Sequence, residues 1–153
     1  MKQKKTQRLD QRLVTIGWRE WLSLPSLGVT RIKAKIDTGA RTSALHAFDI
    51  HQFESAGHSF VRFKLHPQQR TTDETIECTA PLVDRRLVKS SSGHSSLRPV
   101  ILAPVCLGDY SWLIELTLTN RAEMGFRMLL GRQAICDRFV VHAGRSFIQS
   151  TNL

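Results

Sequence analysis

The feature that most constrains the fold is a two-residue hydrophobic period that returns in short segments along the chain. Apolar and basic residues alternate strictly from Arg31 to Ile36, and Ile114, Leu116 and Leu118 alternate with polar residues further on. Successive side chains of a β-strand point to opposite faces, so this pattern buries one face of each strand. The sequence therefore predicts an all-β fold.

Turn-forming residues divide the chain into many short candidate strands. Hairpin turns are indicated at residues 25–28 and 107–109, and polar loops at residues 66–73 and 90–96. Apolar segments between these turns predict strands at residues 60–65, 75–83, 97–105 and 126–130, with a last short pair near residues 140 and 147. Many short strands at near-regular spacing favour a closed or nearly closed β-barrel, and residues 133–138 are expected to form one short C-terminal helix.

Length and charge limit the kind of protein this can be. A chain of 153 residues suits a single domain, here residues 13–150, and the basic residues 1–12 are expected to form a disordered tail. No apolar segment is long enough for a membrane helix and no secretory signal follows the basic start, which predicts a cytoplasmic protein without a membrane partner. The formal net charge of +9 indicates either an acidic partner or a highly charged solvated surface. The chain lacks helix-turn-helix and zinc-finger spacing, so a nucleic acid is not the predicted partner.

Cysteine and histidine spacing gives no support for a metal site or a cofactor. Cys78, Cys106 and Cys136 are too widely spaced to form a close pair of ligands, and they are expected to be buried reduced thiols. The histidines form no His-Glu-x-x-His motif, and a zinc site assembled from His46 with His94 or Cys78 remains an alternative. The chain has no glycine-rich phosphate loop, so ATP binding is not expected.

The motif with the clearest chemical meaning is Asp37-Thr38-Gly39-Ala40, which begins where the alternation of the preceding strand ends. The carboxylate of Asp37 would emerge at a strand end, and Gly39 would allow a second backbone to approach closely. A carboxylate followed by glycine is also common in ordinary turns. What makes the motif more specific is a second apolar strand, residues 128–131, which reads Met-Leu-Leu-Gly much later in the chain.

Two longer segments, residues 35–47 and residues 120–132, resemble a bacterial subgroup of the retropepsin-like aspartic peptidases. Members of this subgroup are often labelled ATP-dependent zinc protease, and some are associated with ATP-grasp ligases that add glutamate to a ribosomal protein. The resemblance covers residues 14–147, but residues 141–143 read Val-His-Ala where the subgroup often has Val-Asp-Pro. It implies a retropepsin-like closed β-barrel with a flap hairpin, in which the apolar-apolar-glycine strand packs behind the catalytic loop.

The resemblance assigns the catalytic carboxylate to Asp37, with Thr38 and Gly39 completing the catalytic loop. One carboxylate cannot efficiently both activate water and protonate the leaving amine. Two carboxylates about 3 Å apart share one proton and divide these roles. The remaining aspartates of the chain lack a following Thr/Ser-Gly. A working pair therefore requires a homodimer with twofold symmetry, and the dimer is the predicted assembly.

A flap that closes over the substrate is also implied by the resemblance. The loop at residues 90–96 is its predicted tip, and Ser92 and Gly93 are predicted to contact substrate because small residues suit a mobile tip. An ordinary surface hairpin is the alternative. Residues 60–65 and 75–83 would form an extra hairpin between the catalytic loop and the flap.

Several basic residues lie close to these segments in the sequence. The residues predicted to bind substrate are Arg41, Arg98 and Arg132, together with Ala40 at the end of the Asp37 motif. Residues 85–86 add two arginines beside the flap. Guanidinium groups bind carboxylates through two parallel hydrogen bonds, so we expect an acidic, glutamate-rich peptide in the groove. The alternative is structural pairing of these arginines with acidic residues of the chain, namely Glu77, Asp84, Glu115 or Glu123.

Three functions are compatible with these features. The first is a homodimeric aspartic peptidase that cleaves peptide bonds, including those of acidic or glutamate-extended substrates. The second is a non-catalytic accessory protein that binds and regulates an ATP-grasp glutamate ligase, with Asp37 in a structural role. The third, a zinc peptidase, requires a metal site that the residue spacing does not indicate.

Overall fold

The computed structural model describes four ranges of the chain, residues 13–68, 73–89, 92–120 and 125–150. Within them the chain forms eleven strands, one 3-10 turn at Pro25–Leu27 and one short α-helix, α1, at Arg132–Ile135. The strands are β1 (Val14–Gly17), β2 (Arg19–Leu24), β3 (Val29–Asp37), β4 (Ser43–His46), β5 (Phe48–Ser55), β6 (His58–Leu65), β7 (Ile76–Lys89), β8 (Ser95–Leu107), β9 (Tyr110–Thr119), β10 (Met128–Gly131) and β11 (Phe139–His142). No helix in these ranges is long and apolar enough to cross a membrane. The basic tail predicted at residues 1–12 lies outside them.

Six of the strands close into a barrel. The larger sheet has the order β2-β3-β10-β4-β9-β8-β7-β6-β5, and β2 pairs a second time with β8 through Ser23 and Cys106. This second pairing joins the two ends of the run β2-β3-β10-β4-β9-β8 into a ring. The prediction of an all-β fold built on a closed barrel is therefore confirmed.

The barrel interior holds the apolar side of each alternating strand. Ile32, Ala34 and Ile36 of β3 are buried, as are Leu116 and Leu118 of β9. Fully burying a leucine or isoleucine side chain contributes about 1.5–3 kcal/mol, so the alternation visible in the sequence determines which face of each strand turns inward. A one-residue slip of β3 would move its basic side chains into the core, and this strongly disfavours any other register.

Strands β5, β6 and β7 extend the sheet beyond the ring, and β7 continues into a long hairpin with β8. Lys89 and Ser95 are the last paired residues before the tip of this hairpin. The loop predicted at residues 90–96 therefore connects two antiparallel strands, as a flap requires. The extra hairpin predicted before the flap is present, since β6 and the first half of β7 are antiparallel partners, and β5 extends it to three strands by pairing with β6.

A second, two-stranded sheet joins the beginning and the end of the described chain, since β1 and β11 are parallel partners. The segment after β11 is held by Glu20 of β2, whose side chain is fully buried. Its carboxylate accepts hydrogen bonds from the backbone N–H groups of Gly17 (2.6 Å), Ile148 (2.8 Å), Gln149 (3.2 Å) and Ser150 (2.9 Å), and from the Ser150 hydroxyl (2.7 Å). Five donors compensate a buried charge that would otherwise be costly.

Two strands predicted near the C-terminus are wrong in detail. Phe126 does not belong to β10, which begins at Met128, and its ring packs edge-on against Trp18 with 6.1 Å between centroids. Phe147 is not in a strand, because its φ of 54° is outside the extended region. Its ring stacks on Trp21 instead, with 6.1 Å between centroids.

The predicted C-terminal helix is present but is shifted and shorter. It covers Arg132–Ile135, not residues 133–138, because Cys136 leaves the helical region with a ψ of 134°. All three cysteines are free, as expected, but they are not all buried. Cys78 is buried, whereas Cys106 is half-buried and Cys136 is exposed just after the helix.

Candidate active site

Asp37 is the last residue of β3 and the first residue of a tight loop. Its Oδ1 accepts hydrogen bonds from the backbone N–H groups of Gly39 (3.1 Å) and Ala40 (3.2 Å). Its Oδ2 makes no hydrogen bond within the described part of the chain, and the residue is half-buried. One oxygen of the carboxylate is therefore fixed in place and the other is available to a ligand.

Close approach explains why Gly39 follows in this loop. A Cβ at Gly39 would lie 3.3 Å from Asp37 Oδ1, tighter than an ordinary van der Waals contact. The glycine thus lets its own amide reach the carboxylate without crowding it. Thr38 and Gly39 are both exposed, so the loop that carries Asp37 lies at the protein surface.

Helix α1 holds the other side of the Asp37 loop. The backbone N–H groups of Arg132 and Gln133 donate to the carbonyl oxygens of Ala40 (2.7 Å) and Arg41 (3.1 Å). The guanidinium Nη1 of Arg132 donates to the Thr38 carbonyl oxygen (3.2 Å). Arg132, predicted from the sequence to bind substrate, is therefore placed by the structure against the Asp37 loop.

Strand β10 packs directly behind the Asp37 loop. It is parallel to β3, with Leu130 paired to Ile36 and Gly131 paired to Asp37. The Gly131 N–H donates to Ser43 Oγ (3.0 Å), and a Cβ at Gly131 would lie only 2.5 Å from the backbone carbonyl carbon of residue 42. The glycine that ends the Leu-Leu-Gly segment is thus required by the crossing chain. The predicted pairing of the two motifs is present.

A groove of about 1050 Å³ lies between the Asp37 loop and the flap hairpin. Its lining combines the loop, the hairpin and the surface beneath them: Asp37, Gly39, Ala40, Arg41, Thr42, Ala44, Arg86, Leu87, Val88, Lys89, Arg98, Glu115, Thr117, Leu129 and Gln133. Of the residues predicted to act on substrate, Asp37, Gly39, Ala40, Arg41 and Arg98 meet in this groove.

The described residues of the hairpin tip do not line the groove. Ser92 and Gly93 are exposed and are not among the described residues that line the groove. Gly93 has a φ of 88°, a left-handed conformation that favours glycine and suits a tight tip. Residues 90 and 91, which complete the predicted flap loop, lie outside the described ranges.

Arg86 ties the flap to the barrel. Its Nη2 donates to Asp84 Oδ2 and to Glu115 Oε2, each at 2.9 Å. Hydrogen bonds from Arg86 and from the Arg85 amide hold the pKa of Asp84 below its usual value, and the two carboxylates raise the pKa of Arg86. The expectation of structural ion pairs is therefore correct for Arg86.

The other groove cations have no carboxylate partner in the part of the chain that the structure describes. Four cationic side chains and two carboxylates line the groove, and Arg86 already binds Glu115. Within the described residues, Arg41, Lys89 and Arg98 form no ion pair with a carboxylate. Outside the groove, Arg85 donates to Gln52 Oε1 (2.6 Å) and does not line the cavity.

The alternative of a zinc site is not supported by the available donors. Within the described residues, no three His, Cys, Asp or Glu side chains lie close enough to share a metal ion. Burial raises the pKa of the Cys78 thiol to about 11, and its Sγ donates to the Leu27 carbonyl oxygen (3.3 Å). A thiol in this state is a poor ligand, because metals bind the thiolate. His46 Nδ1 lies 3.4 Å from Arg127 Nη1, and this cation would repel a metal ion.

Several residues that support the site carry no signal in the local sequence. Ser43 binds the Gly131 amide, and the Ser43 carbonyl oxygen accepts from Thr117 Oγ1 (3.1 Å). Trp112 Nε1 donates to the carbonyl oxygen of Ala134 in helix α1 (3.1 Å). All of these partners are distant in sequence, so no local pattern could have identified them.

The chain is similar to proteins of one family along nearly its whole length. The family model described as RimB-like, retropepsin-like aspartic endopeptidase RimB, matches residues 15–152. Curated relatives are named probable alpha-L-glutamate ligase. One from Shewanella pealeana is 48% identical over 132 residues, which cover 86% of this chain and 29% of the relative. One from Desulfotalea psychrophila is 47% identical over 126 residues, covering 82% of this chain and 27% of the relative. The chain thus spans less than a third of the length of these relatives.

A solved structure has the same fold. The protein Lpg0085 from Legionella pneumophila, described as being of unknown function, aligns with a TM-score of 0.75 and 31% sequence identity. The alignment covers 89% of this chain and 98% of that chain.

Proposed function

Because the chain belongs to the RimB-like family of retropepsin-like aspartic endopeptidases, we propose that it is one subunit of a peptidase that cleaves peptide bonds with two Asp37 carboxylates. The observation that carries the proposal is the state of Asp37. Its Oδ1 is fixed by two loop amides, its Oδ2 has no partner in the described chain, and it lines the large groove. A carboxylate that served only the fold would use both oxygens, as Glu20 does.

The second carboxylate would come from another copy of the chain. Asp37 is the only groove carboxylate without a cationic partner among the described residues, so one subunit offers a single free acid. The exposed Thr38 and Gly39 make its loop accessible to a second subunit. A twofold axis beside this loop would place the two Asp37 side chains opposite each other.

The proposed chemistry follows from two carboxylates that share one proton. The ionised Asp37 takes a proton from a water molecule, and that water attacks the scissile carbonyl carbon. The protonated Asp37 of the other subunit donates to the carbonyl oxygen, so that a neutral tetrahedral intermediate forms. Collapse of the intermediate breaks the C–N bond. The carboxyl group that took the proton from water donates it to the leaving amine, and the other carboxylate takes a proton from a hydroxyl of the intermediate, which restores the shared-proton pair. The groove, open along the flap, has the volume for an extended peptide.

Subunit mixing tests the shared site directly. Wild-type protein and Asp37→Asn protein are mixed in equal amounts, exchanged to equilibrium and assayed on a fluorogenic peptide. If a cut needs both carboxylates, only pairs of wild-type subunits work, and random pairing leaves about a quarter of the activity of an all-wild-type sample. Independent subunits would retain about half. Glu54→Gln, at an exposed site on β5, is the control partner and should leave activity in the mixture unchanged.

A second candidate function is regulation of a glutamate ligase. It is favoured by the names of the relatives and by their length, since the matched segment is 29% of the Shewanella pealeana protein. In that case the chain would bind the ligase and change its glutamate-adding rate without cutting peptide bonds. The assay measures ligase activity with wild-type or Asp37→Asn protein added. Equal effects of the two proteins favour the accessory role, whereas loss of the effect in the variant favours cleavage of a glutamate-extended product.

A further inference from the structure

Arg98 is a buried cation inside the groove that Asp37 lines. It lies in β8 at the base of the flap, and only 9% of the residue surface is exposed. Its Nε donates to Ser96 Oγ (3.1 Å), and its two terminal nitrogens make no hydrogen bond with the described residues. These terminal nitrogens keep some contact with solvent, yet holding a largely buried guanidinium without a carboxylate partner is energetically costly. An arrangement of this kind points to a partner that arrives from outside.

The neighbouring arginine shows what a structural role looks like in the same hairpin. Arg86 is the cross-strand partner of Arg98, so two like charges lie opposite each other in an antiparallel pair. Such a pairing is destabilising unless other charges compensate it. Arg86 has Asp84 and Glu115 as partners, each at 2.9 Å. Arg98 contacts neither carboxylate, so only one of the two paired arginines has its charge neutralised within the hairpin region.

The surroundings of Arg98 are also positive in a small recess that adjoins the groove. A recess of about 40 Å³ shares Ala44, Arg98 and Leu129 with the groove and is lined in addition by His46 and Arg127. None of the described residues that line it is acidic. Burial and the nearby Arg127 guanidinium lower the pKa of His46, which agrees with a positive local field.

We propose that Arg98 is the specificity-determining residue of the groove and binds one carboxylate of the peptide substrate through its two free terminal nitrogens. The inference rests on the proposed peptidase function and names the residue that selects an acidic substrate. The planar guanidinium offers a carboxylate two parallel hydrogen bonds, a geometry that lysine does not provide. The carboxylate would belong either to a glutamate or aspartate side chain or to the C-terminus of the substrate.

A positional peptide set tests the inference and separates these two sources. Fluorogenic decapeptides on an alanine-serine background carry one glutamate, or one glutamine, at each successive position. Each is made with a free and with an amidated C-terminus. The wild-type protein should cleave the glutamate peptide faster at one position, by about 10- to 100-fold in kcat/KM, the range expected for a charge-assisted hydrogen-bonded pair. A preference that needs the free C-terminus instead would assign the carboxylate to the peptide end.

Variants at Arg98 decide whether this residue causes the preference. Arg98→Gln should reduce cleavage of the preferred carboxylate peptide to the level of its neutral counterpart, while cleavage of the neutral peptide changes by less than about threefold. Arg98→Lys should restore part of the preference, because it keeps the charge but loses the fork. Arg85→Gln removes an equal charge outside the groove and should leave the ratio as it is in wild type. An unchanged ratio in Arg98→Gln would overturn the proposal.

Binding measurements keep the test independent of cleavage and of folding. The same peptides, labelled with fluorescein, are titrated with Asp37→Asn protein and with the Asp37→Asn/Arg98→Gln double variant, and anisotropy gives the dissociation constants. Loss of Arg98 should weaken binding of the carboxylate peptide alone. Equal binding of both peptides to both proteins would refute the subsite, whereas absence of cleavage by wild type would refute only the peptidase function. Arg98→Met is the second variant if Arg98→Gln melts at a lower temperature.

Discussion

The anchor around Glu20 and the loop around Asp37 use the same chemical group in opposite ways. Glu20 is fully buried, and its two oxygens accept five hydrogen bonds from the segments that they join. Asp37 is half-buried, and only its Oδ1 is used, by two amides of its own loop. Glu20 is thus fully satisfied by the fold, and Asp37 keeps one oxygen for a ligand.

The difference shows that donor count, more than burial, separates a carboxylate that the fold satisfies completely from one that keeps an oxygen free for a ligand. A carboxylate with a full set of hydrogen bonds stabilises the chain. Without it, each buried N–H or O–H donor would give up its hydrogen bond to water on folding and gain no protein acceptor. A half-satisfied carboxylate is held in position at little energetic cost and can still exchange protons. The same contrast separates Arg86, which binds two carboxylates, from Arg98, which binds none in the described chain.

Exchanging one oxygen for an amide nitrogen should have opposite effects at the two sites. In Asp37→Asn the side-chain oxygen can still accept from both amides, so unfolding free energy should change by less than about 1 kcal/mol while kcat falls at least about 1000-fold. In Glu20→Gln the new amide nitrogen must face at least two N–H donors, and stability should fall by about 3 kcal/mol. Urea unfolding and peptide cleavage, measured on both proteins, check these values.

The matched control is Glu54→Gln, which alters an exposed glutamate and should leave both stability and cleavage within error of wild type. The contrast between the two carboxylates is contradicted if Asp37→Asn loses as much unfolding free energy as Glu20→Gln. In that case Asp37 would be a second structural anchor, and the accessory function would gain support.

The sequence was sufficient to predict features that depend on neighbouring residues. The alternation from Arg31 to Ile36 predicted β3, and the break in that alternation placed Asp37 at a strand end. The packing of β10 beside β3, with Gly131 paired to Asp37, was expected only from the resemblance to a known family. For β3 itself the signal is a short pattern whose physical cause, the two-residue period, acts within a few residues.

Features that depend on distant residues could not be predicted. Glu20 resembles any polar residue of an alternating strand, yet two of its donors are 128 and 130 residues away. Arg86 and Arg98 look equivalent in the sequence, and only the folded chain brings Glu115 to the first and not to the second. Strand register and chain crossings determine which side chains meet across the barrel, and neither can be recognised from the neighbouring residues in the sequence.

Two glycines, one in each region, give a smaller test of the same comparison. A Cβ at Gly17, whose N–H binds Glu20, would lie 2.5 Å from the Arg145 carbonyl oxygen, so Gly17→Ala should lower stability by about 2 kcal/mol through a backbone clash. A Cβ at Gly39 would lie 3.3 Å from Asp37 Oδ1, and a small shift relieves that contact. Gly39→Ala should therefore cost less than about 1 kcal/mol of stability but slow cleavage about 10-fold, because it moves the carboxylate.

Thermal melting and kcat, measured for both alanine variants, check the prediction. A stability loss in Gly39→Ala as large as that in Gly17→Ala would show that the Asp37 loop is as rigidly packed as the Glu20 anchor. A loop packed that rigidly could accommodate the carboxylate of a second subunit only if other parts of the protein moved.

The smallest expected effect is a pH dependence of the unfolding free energy that arises from His46, in the recess beside the groove. His46 lies on β4, where burial, Arg127 and His66 hold its pKa below the ordinary value of 6.5. Its Nδ1 accepts from Arg127 Nη1 (3.4 Å), a contact that protonation of Nδ1 would break. Because the unfolded chain binds this proton more readily, the contribution of His46 to stability is complete above about pH 6.5 and is lost as the pH falls below it.

His46→Gln should therefore flatten the fall in unfolding free energy between about pH 7 and pH 5. His51→Gln, at an exposed position of β5, is the control and should leave that fall as it is in wild type. Combining His46→Gln with Glu20→Gln should give additive losses, since the two sites share no hydrogen-bond partner. Non-additive losses would mean that the anchor and the groove are coupled through the barrel. Asp37 would then depend on the Glu20 anchor as well as on its own loop.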